Sequence, residues 1–143
     1  MSGTETAARG DPAGVTGREY VHSNLARAHA LFHVPSAFER DGWLHLTGVI
    51  AAFKPEDGSD RTPGFRRALG QIGEVLALAG GSWNDVVSIT SYHLDIGADI
   101  PSMAAVKDSL RGAPYPAWSV VGAASLADPA GFCEIVAVAR LDR

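Results

Sequence analysis

Pro114-Tyr115-Pro116-Ala117-Trp118-Ser119-Val120-Val121-Gly122 and, after a gap, Phe132-Cys133-Glu134-Ile135-Val136-Ala137-Val138-Ala139 decide how this chain folds. Both runs are rich in small and β-branched residues and read as strands. The connection between them, Leu126-Ala127-Asp128-Pro129-Ala130-Gly131, is made of turn residues. Strand alternation puts Glu134 on one face with Phe132, Val136 and Val138, and Cys133, Ile135, Ala137 and Ala139 on the other. Glu134 is the residue out of place. A carboxylate in an apolar run is costly unless it is paired or neutralised. Desolvation disfavours its charged form, which is what proton transfer uses. An edge position open to water, or an ion pair with an arginine, would satisfy it equally.

Working back from this pair, residues 85–95 read as a strand through Val86, Val87 and Ile89. Tyr92 and His93 fall near its end, either at a pocket rim or interface or as partly exposed sheet residues. A helix follows from about Asp99, with Pro101 in its first turn, burying Met103, Val106 and Leu110 and stopping at Gly112. An earlier helix starts at Thr62-Pro63, a cap followed by proline, and its stripe of Leu69, Ile72, Leu76 and Ala79 ends at Gly80-Gly81. Residues 54–61 form a polar, exposed loop. Residues 36–40 and 43–47 form a hairpin turning at Asp41-Gly42. Trp43, His45 and Thr47 share one of its faces, and Leu44 and Leu46 the other. Gly48 then admits close approach of a ligand or another chain. Residues 20–31 read as a short helix capped by Asn24 or Ser23.

The 143 residues suffice for one domain with its own core, read here as 20–143 behind a disordered tail of residues 1–19. Residues 1–17 lack the apolar centre of a secretory signal, and no run has the apolar length of a membrane span, so a cytoplasmic protein is expected. The formal charge of −4, without a run of Lys or Arg, argues against a nucleic-acid surface. Cys133, the single cysteine, allows no intrachain disulfide and reads as a small buried hydrophobe. His29 and His33 are four apart, but no third ligand has a matching spacing. No metal and no cofactor are expected.

Pro116-Ala117-x-Ser119, then a strand carrying Glu134-Ile135, with Thr47-Gly48 closing an earlier strand, resembles the Rid (YjgF-type) enamine/imine deaminase family over roughly residues 32–141. The resemblance implies an α+β, chorismate mutase-like fold: a mixed sheet with two helices packed on one face. It also implies a homotrimer whose sheets form a central barrel, with sites in the clefts between subunits. A sheet covered on one face needs a partner for the other, which agrees. In the deaminases a glutamate near the C-terminus, matched by Glu134, helps position water, and residues matching Thr47 and Gly48 line the pocket. An arginine after Pro-Ala binds the substrate carboxylate; here that position holds Trp118. An asparagine on the second helix faces the site; the matching position holds Ala104.

Guanidinium forks onto a carboxylate, whereas indole offers one N–H and a flat apolar face. Trp118, with Tyr115 beside it, would therefore suit a neutral, larger or aromatic ligand. Glu134 would act as general acid/base, and Thr47 with the Gly48 and Val120 amides would bind the substrate. The expected activity is hydrolysis, tautomerisation or cyclisation of a small imine- or enamine-type intermediate. The alternative is a trimeric small-molecule-binding or structural protein without turnover. An endoribonuclease, a label some members of the family carry, is opposed by the charge balance.

Overall fold

The computed structural model describes residues 7–8 and 14–143. Their fold is mixed α+β, with eight strands and three α-helices. Two units pack separately: the described residues up to Thr47 with Ile72–Val87 and Ala137–Arg143, and Gly48–Gln71 with Ser88–Val136.

In the first unit, β1 (Ala7–Ala8), β2 (Arg18–Tyr20), β3 (Ala37–Arg40) and β4 (Trp43–Leu46) pair antiparallel in that order. The last of them pairs with the C-terminal half of β8 (Gly131–Arg140), from Trp43↔Arg140 to His45↔Val138. The hairpin turns as its sequence demands: Asp41 and Gly42 both have positive φ, 54° and 81°. Leu44 and Leu46 are buried, whereas Trp43 and His45 are exposed. The helix expected over residues 20–31 is shorter. Tyr20 belongs to β2, His22 caps a 3-10 turn at Ser23–Leu25 by accepting from the Asn24 amide, and α1 covers Ala26–Phe32. Arg18 and Glu19, read as tail, lie in β2; residues 1–6 and 9–13 of that expected tail lie outside the described residues. The C-terminal half of α2 (Thr62–Leu78) brings Ile72 and Leu76 to this core, with Ala79 after it, and Gly80 follows at φ 82°.

In the second unit, β5 (Val49–Ala52), a strand the sequence reading missed, pairs antiparallel with the N-terminal half of β8 and sets Ile50 opposite Glu134. β6 (Val86–His93) lies between β8 and β7 (Ala117–Gly122), and β6 and β7 run parallel across α3 (Ile96–Leu110). The two strands that open the sequence reading are therefore not neighbours. A parallel pair needs a crossover, and α3 supplies it. This helix starts earlier than expected: Asp95 is the cap, accepting from the Ala98 amide, and Pro101 sits inside the helix. Met103 and Val106 are buried as expected, but Leu110 is exposed. With α1, the described residues hold the three α-helices read from the sequence. Among the described residues no helix is long and apolar enough to cross a membrane.

Candidate functional site

The alternation read along β8 is realised from Cys133 onward, but Phe132, expected on the face of Glu134, is buried. Cys133, Ile135, Ala137 and Ala139 are fully buried, while Glu134, Val136 and Val138 are half-buried. Phe132 is buried among Phe53 and Phe65, with ring centroids 4.5 and 5.2 Å away.

Among the described residues Glu134 is neither at a watery edge nor in an ion pair. Its side chain lies against Gly48: a β-carbon there would stand 2.2 Å from Oε2 and 2.8 Å from Cδ and Cγ. Gly48 is thus required for contact with a carboxylate. Among the described residues that carboxylate makes no hydrogen bond and no salt bridge. It opens on a cavity of about 350 Å³, lined also by Tyr92, Ala123, Ser125, Leu126 and Val136, none of them cationic. Tyr92, half-exposed on β6, belongs here, at the pocket rim that was one of its two readings.

The opposite face of the same strands carries a buried polar chain. Trp118 Nε1 donates to Ser91 Oγ at 2.8 Å. Ser91 Oγ is 2.6 Å from His93 Nε2, and His93 Nδ1 is 2.8 Å from Asp99 Oδ2. Indole nitrogen is only a donor, so the serine accepts from it and turns its own hydrogen to His93 Nε2; Nδ1–H then donates to Asp99. Arg61 Nε closes the chain 2.6 Å from Asp99 Oδ1, an ion pair whose angle falls outside hydrogen-bond geometry. Ser91, His93 and Asp99 are buried, so His93 is not the exposed sheet residue that was one of its two readings, and Asp99 is no helix start.

Cys133 Sγ lies 3.9 Å from His93 Nε2. Burial, then the charges of Asp99 and Glu134, push its thiol up to about 12. His93, Asp99 and Cys133 do bring potential metal-ligand atoms within 4.8 Å of one another. Both ring nitrogens and the carboxylate are already committed, however, and a ligating thiol must lose its proton. The cluster is a hydrogen-bonded core.

The predicted site residues therefore separate. Glu134 and Gly48 meet. Trp118 is linked through Ser91 and His93 to the side of Cys133, whose neighbour Glu134 points the other way, so Trp118 and Glu134 occupy opposite faces. Val120, two residues from Trp118, shares its face and is 37% exposed. Tyr115 is 65% exposed. The Lys107 ammonium sits 5.1 Å from the Trp118 ring centroid and 5.7 Å from that of Tyr115, and is held by Asp108 at 2.8 Å. Thr47 Oγ1 donates to the Pro35 carbonyl at 2.7 Å.

A mixed sheet crossed by helices, with a carboxylate seated on a glycine beside a small cavity, defines the class, and sequence comparison agrees. The model of the Endoribonuclease L-PSP family matches residues 26–141, and the chain belongs to this family. The Rid/YjgF resemblance is thereby established. The RutC family protein YjgH of Escherichia coli (strain K12) is 34% identical over 125 residues, covering 81% of this chain and 91% of that protein. A solved structure of protein YJGH superposes with a TM-score of 0.71 at 26% identity, covering 100% of this chain and 99% of that one. Rv2704 of Mycobacterium tuberculosis, a member of the YjgF/YER057c/UK114 family, has a TM-score of 0.73 at 25% identity, covering 85% and 97%. Solved structures of this fold carry both RidA and endoribonuclease names.

Proposed function

We propose that this chain is a Rid-family acid–base enzyme acting on a small neutral or aromatic imine or enamine, by hydrolysis, tautomerisation or cyclisation, with Glu134 as general acid/base. One observation carries the reading: a half-buried carboxylate, unpaired among the described residues, faces a cavity whose other lining groups are uncharged. Buried polar groups are normally answered by the protein, and one left unanswered beside a cavity is answered by a ligand. Without a cation in the lining, a carboxylate-bearing substrate would meet Glu134 as a like charge. Glu134 takes a proton from water attacking C=N, or moves one between carbon and nitrogen.

Trp118, Tyr115 and Val120 would join this site only from another copy of the chain, in the cleft of a homotrimer. The support is β7, an edge strand paired on one side, with Val120 and Val121 37% and 40% exposed. An open apolar edge of this kind invites a partner. The internal engagement of Trp118 and Thr47 favours the second reading, a binding protein without turnover.

The test is the release of ammonia from freshly generated neutral imines and from 2-imino acids, with wild type and Glu134→Gln. Wild type should accelerate the neutral class by more than the anionic one, and the variant should lose about 10²-fold or more. Acceleration of neither class, with unchanged ligand affinity in the variant, would leave a scaffold carboxylate. Light scattering should give three chains per particle.

A further inference from the structure

We infer that Tyr92 is the acid that works opposite Glu134, so that the cavity binds a planar group that accepts one hydrogen bond and donates another: an imine in turnover, an amide at equilibrium. The inference rests on the acid–base reading of Glu134 and adds to it a second catalytic residue and a ligand geometry.

Tyr92 lies on β6 and Glu134 on β8, neighbouring strands, and both residues belong to the same unit. Both line the cavity of about 350 Å³. His93, next along β6, turns to the other face with Cys133, so strand alternation fixes Tyr92 on the face of Glu134. Among the described residues, the Tyr92 hydroxyl, like the Glu134 carboxylate, has no hydrogen-bond partner. The contrast with Tyr20 is instructive. That phenol is saturated by Glu39 Oε1 at 2.8 Å and belongs to scaffold. Here a phenol, which can donate a hydrogen bond, and a carboxylate, which can accept one, share a cavity. Ser125 adds one hydroxyl to the lining, and Leu126, Val136 and Ala123 leave the remainder apolar. The ligand is therefore a small body with one polar planar group.

For an imine, the proton transfers close. Water adds to carbon, forming the C–O bond; its proton passes to Glu134, and the C=N electron pair takes the Tyr92 proton at nitrogen. In the collapse, Glu134 returns its proton to nitrogen, the C–N bond breaks and the amine leaves. The new hydroxyl gives its proton to the tyrosinate as the carbonyl forms. Both side chains end as they began.

The experiment is an NMR titration of the full chain with 2-pyrrolidinone, whose carbonyl accepts and whose N–H donates, using wild type, Tyr92→Phe and Glu134→Gln. Wild type should bind saturably, and each variant should bind about three- to tenfold more weakly. Tyr92→Phe keeps the ring, and its melting temperature should match wild type. Equal affinities in wild type and Tyr92→Phe, or no saturable binding by wild type, would overturn the inference. Imine turnover is read separately. Tyr92→Phe should lower kcat more than KM. If wild type turns over and Tyr92→Phe is unimpaired in rate and in binding, Tyr92 falls while the Glu134 reading stands. If both variants lose the lactam but no imine is hydrolysed, the site stands and the enzymatic reading falls.

Discussion

Replacing Gly48 by alanine should silence the Glu134 site while leaving the protein folded. The added β-carbon would stand 2.2 Å from Oε2 and 2.8 Å from Cδ and Cγ of Glu134. Ordinary carbon contacts begin near ~3.5 Å, so the carboxylate must retreat by roughly 1 Å or more. The backbone at Gly48 is not in the left-handed region, so the conflict is one of space alone. A forced side-chain rotation costs about 0.5–1.5 kcal/mol, and a small backbone shift about 1–3 kcal/mol. A loss of about 1–2 kcal/mol is expected, a fall in melting temperature of roughly 3–8 °C for a chain of this size. Activity should fall with Glu134→Gln, by about 10²-fold or more, because the carboxylate no longer reaches its place in the cavity. The assay is calorimetry and turnover on Gly48→Ala, Glu134→Ala and the double variant. In the Glu134→Ala background the clash has lost its partner, so Gly48→Ala should then cost close to nothing, and the coupling should equal the whole single-variant effect. A cost that persists in that background refutes the steric argument.

Three further outcomes follow from the opposite face. Cys133 is buried and its thiol is pushed up to about 12, so a thiol reagent at pH 8 should leave the native chain unmodified and react at once after unfolding in urea. Because the folded value lies above the ordinary ~8.5, this thiol's contribution to stability is complete below ~8.5 and is lost as pH rises towards 12. Cys133→Ala should flatten that part of the pH–stability curve. Asp99→Asn removes the anion that both Arg61 and His93 address from inside the core, and should lower stability by about 3–5 kcal/mol, read as a lower urea midpoint at unchanged slope.

The parts of the fold legible in the sequence were those set by local rules. Asp41-Gly42 fixed a turn because its φ values admit few other residues, and the stripe of α2 marked a helix because its spacing is periodic, although Thr62, read as the cap, lies inside the helix. β5 was not legible, since Val49-Ile50-Ala51-Ala52 is four apolar residues with no alternation and reads as any short buried segment. Strand order was hidden for a different reason. β7 and β8 are consecutive in sequence, and only the crossover through α3 puts β6 between them. Asp99 looked like the acid of a helix start because its partner Arg61 lies 38 positions earlier, and no local pattern announces an ion pair of that span. For Tyr92 a usable signal did exist. His93 shares parity with Ile89 and Ser91, so burial of Ile89 already implied that Tyr92 pointed the other way.

The separation of Glu134 from Cys133 is what makes the site possible. Asp99 and Glu134 both oppose a charge on the Cys133 thiol, so the residue between the two carboxylates stays neutral and no third anion disturbs either face. On one face Asp99 is answered by Arg61 and His93, and its charge is confined to the core. On the other, Glu134 is left to the cavity. The pairings Val49↔Ile135 and Ile50↔Glu134 hold this division, and the irregularity in the ladder comes only later, between Ala51 and Ala52. A register slip of one residue would carry Glu134 into the buried network and Cys133 into the cavity. It would place an unpaired carboxylate beside Asp99, a penalty large enough to forbid the slip. The charge that keeps Glu134 out of the core thus also fixes the register that presents it to the cavity.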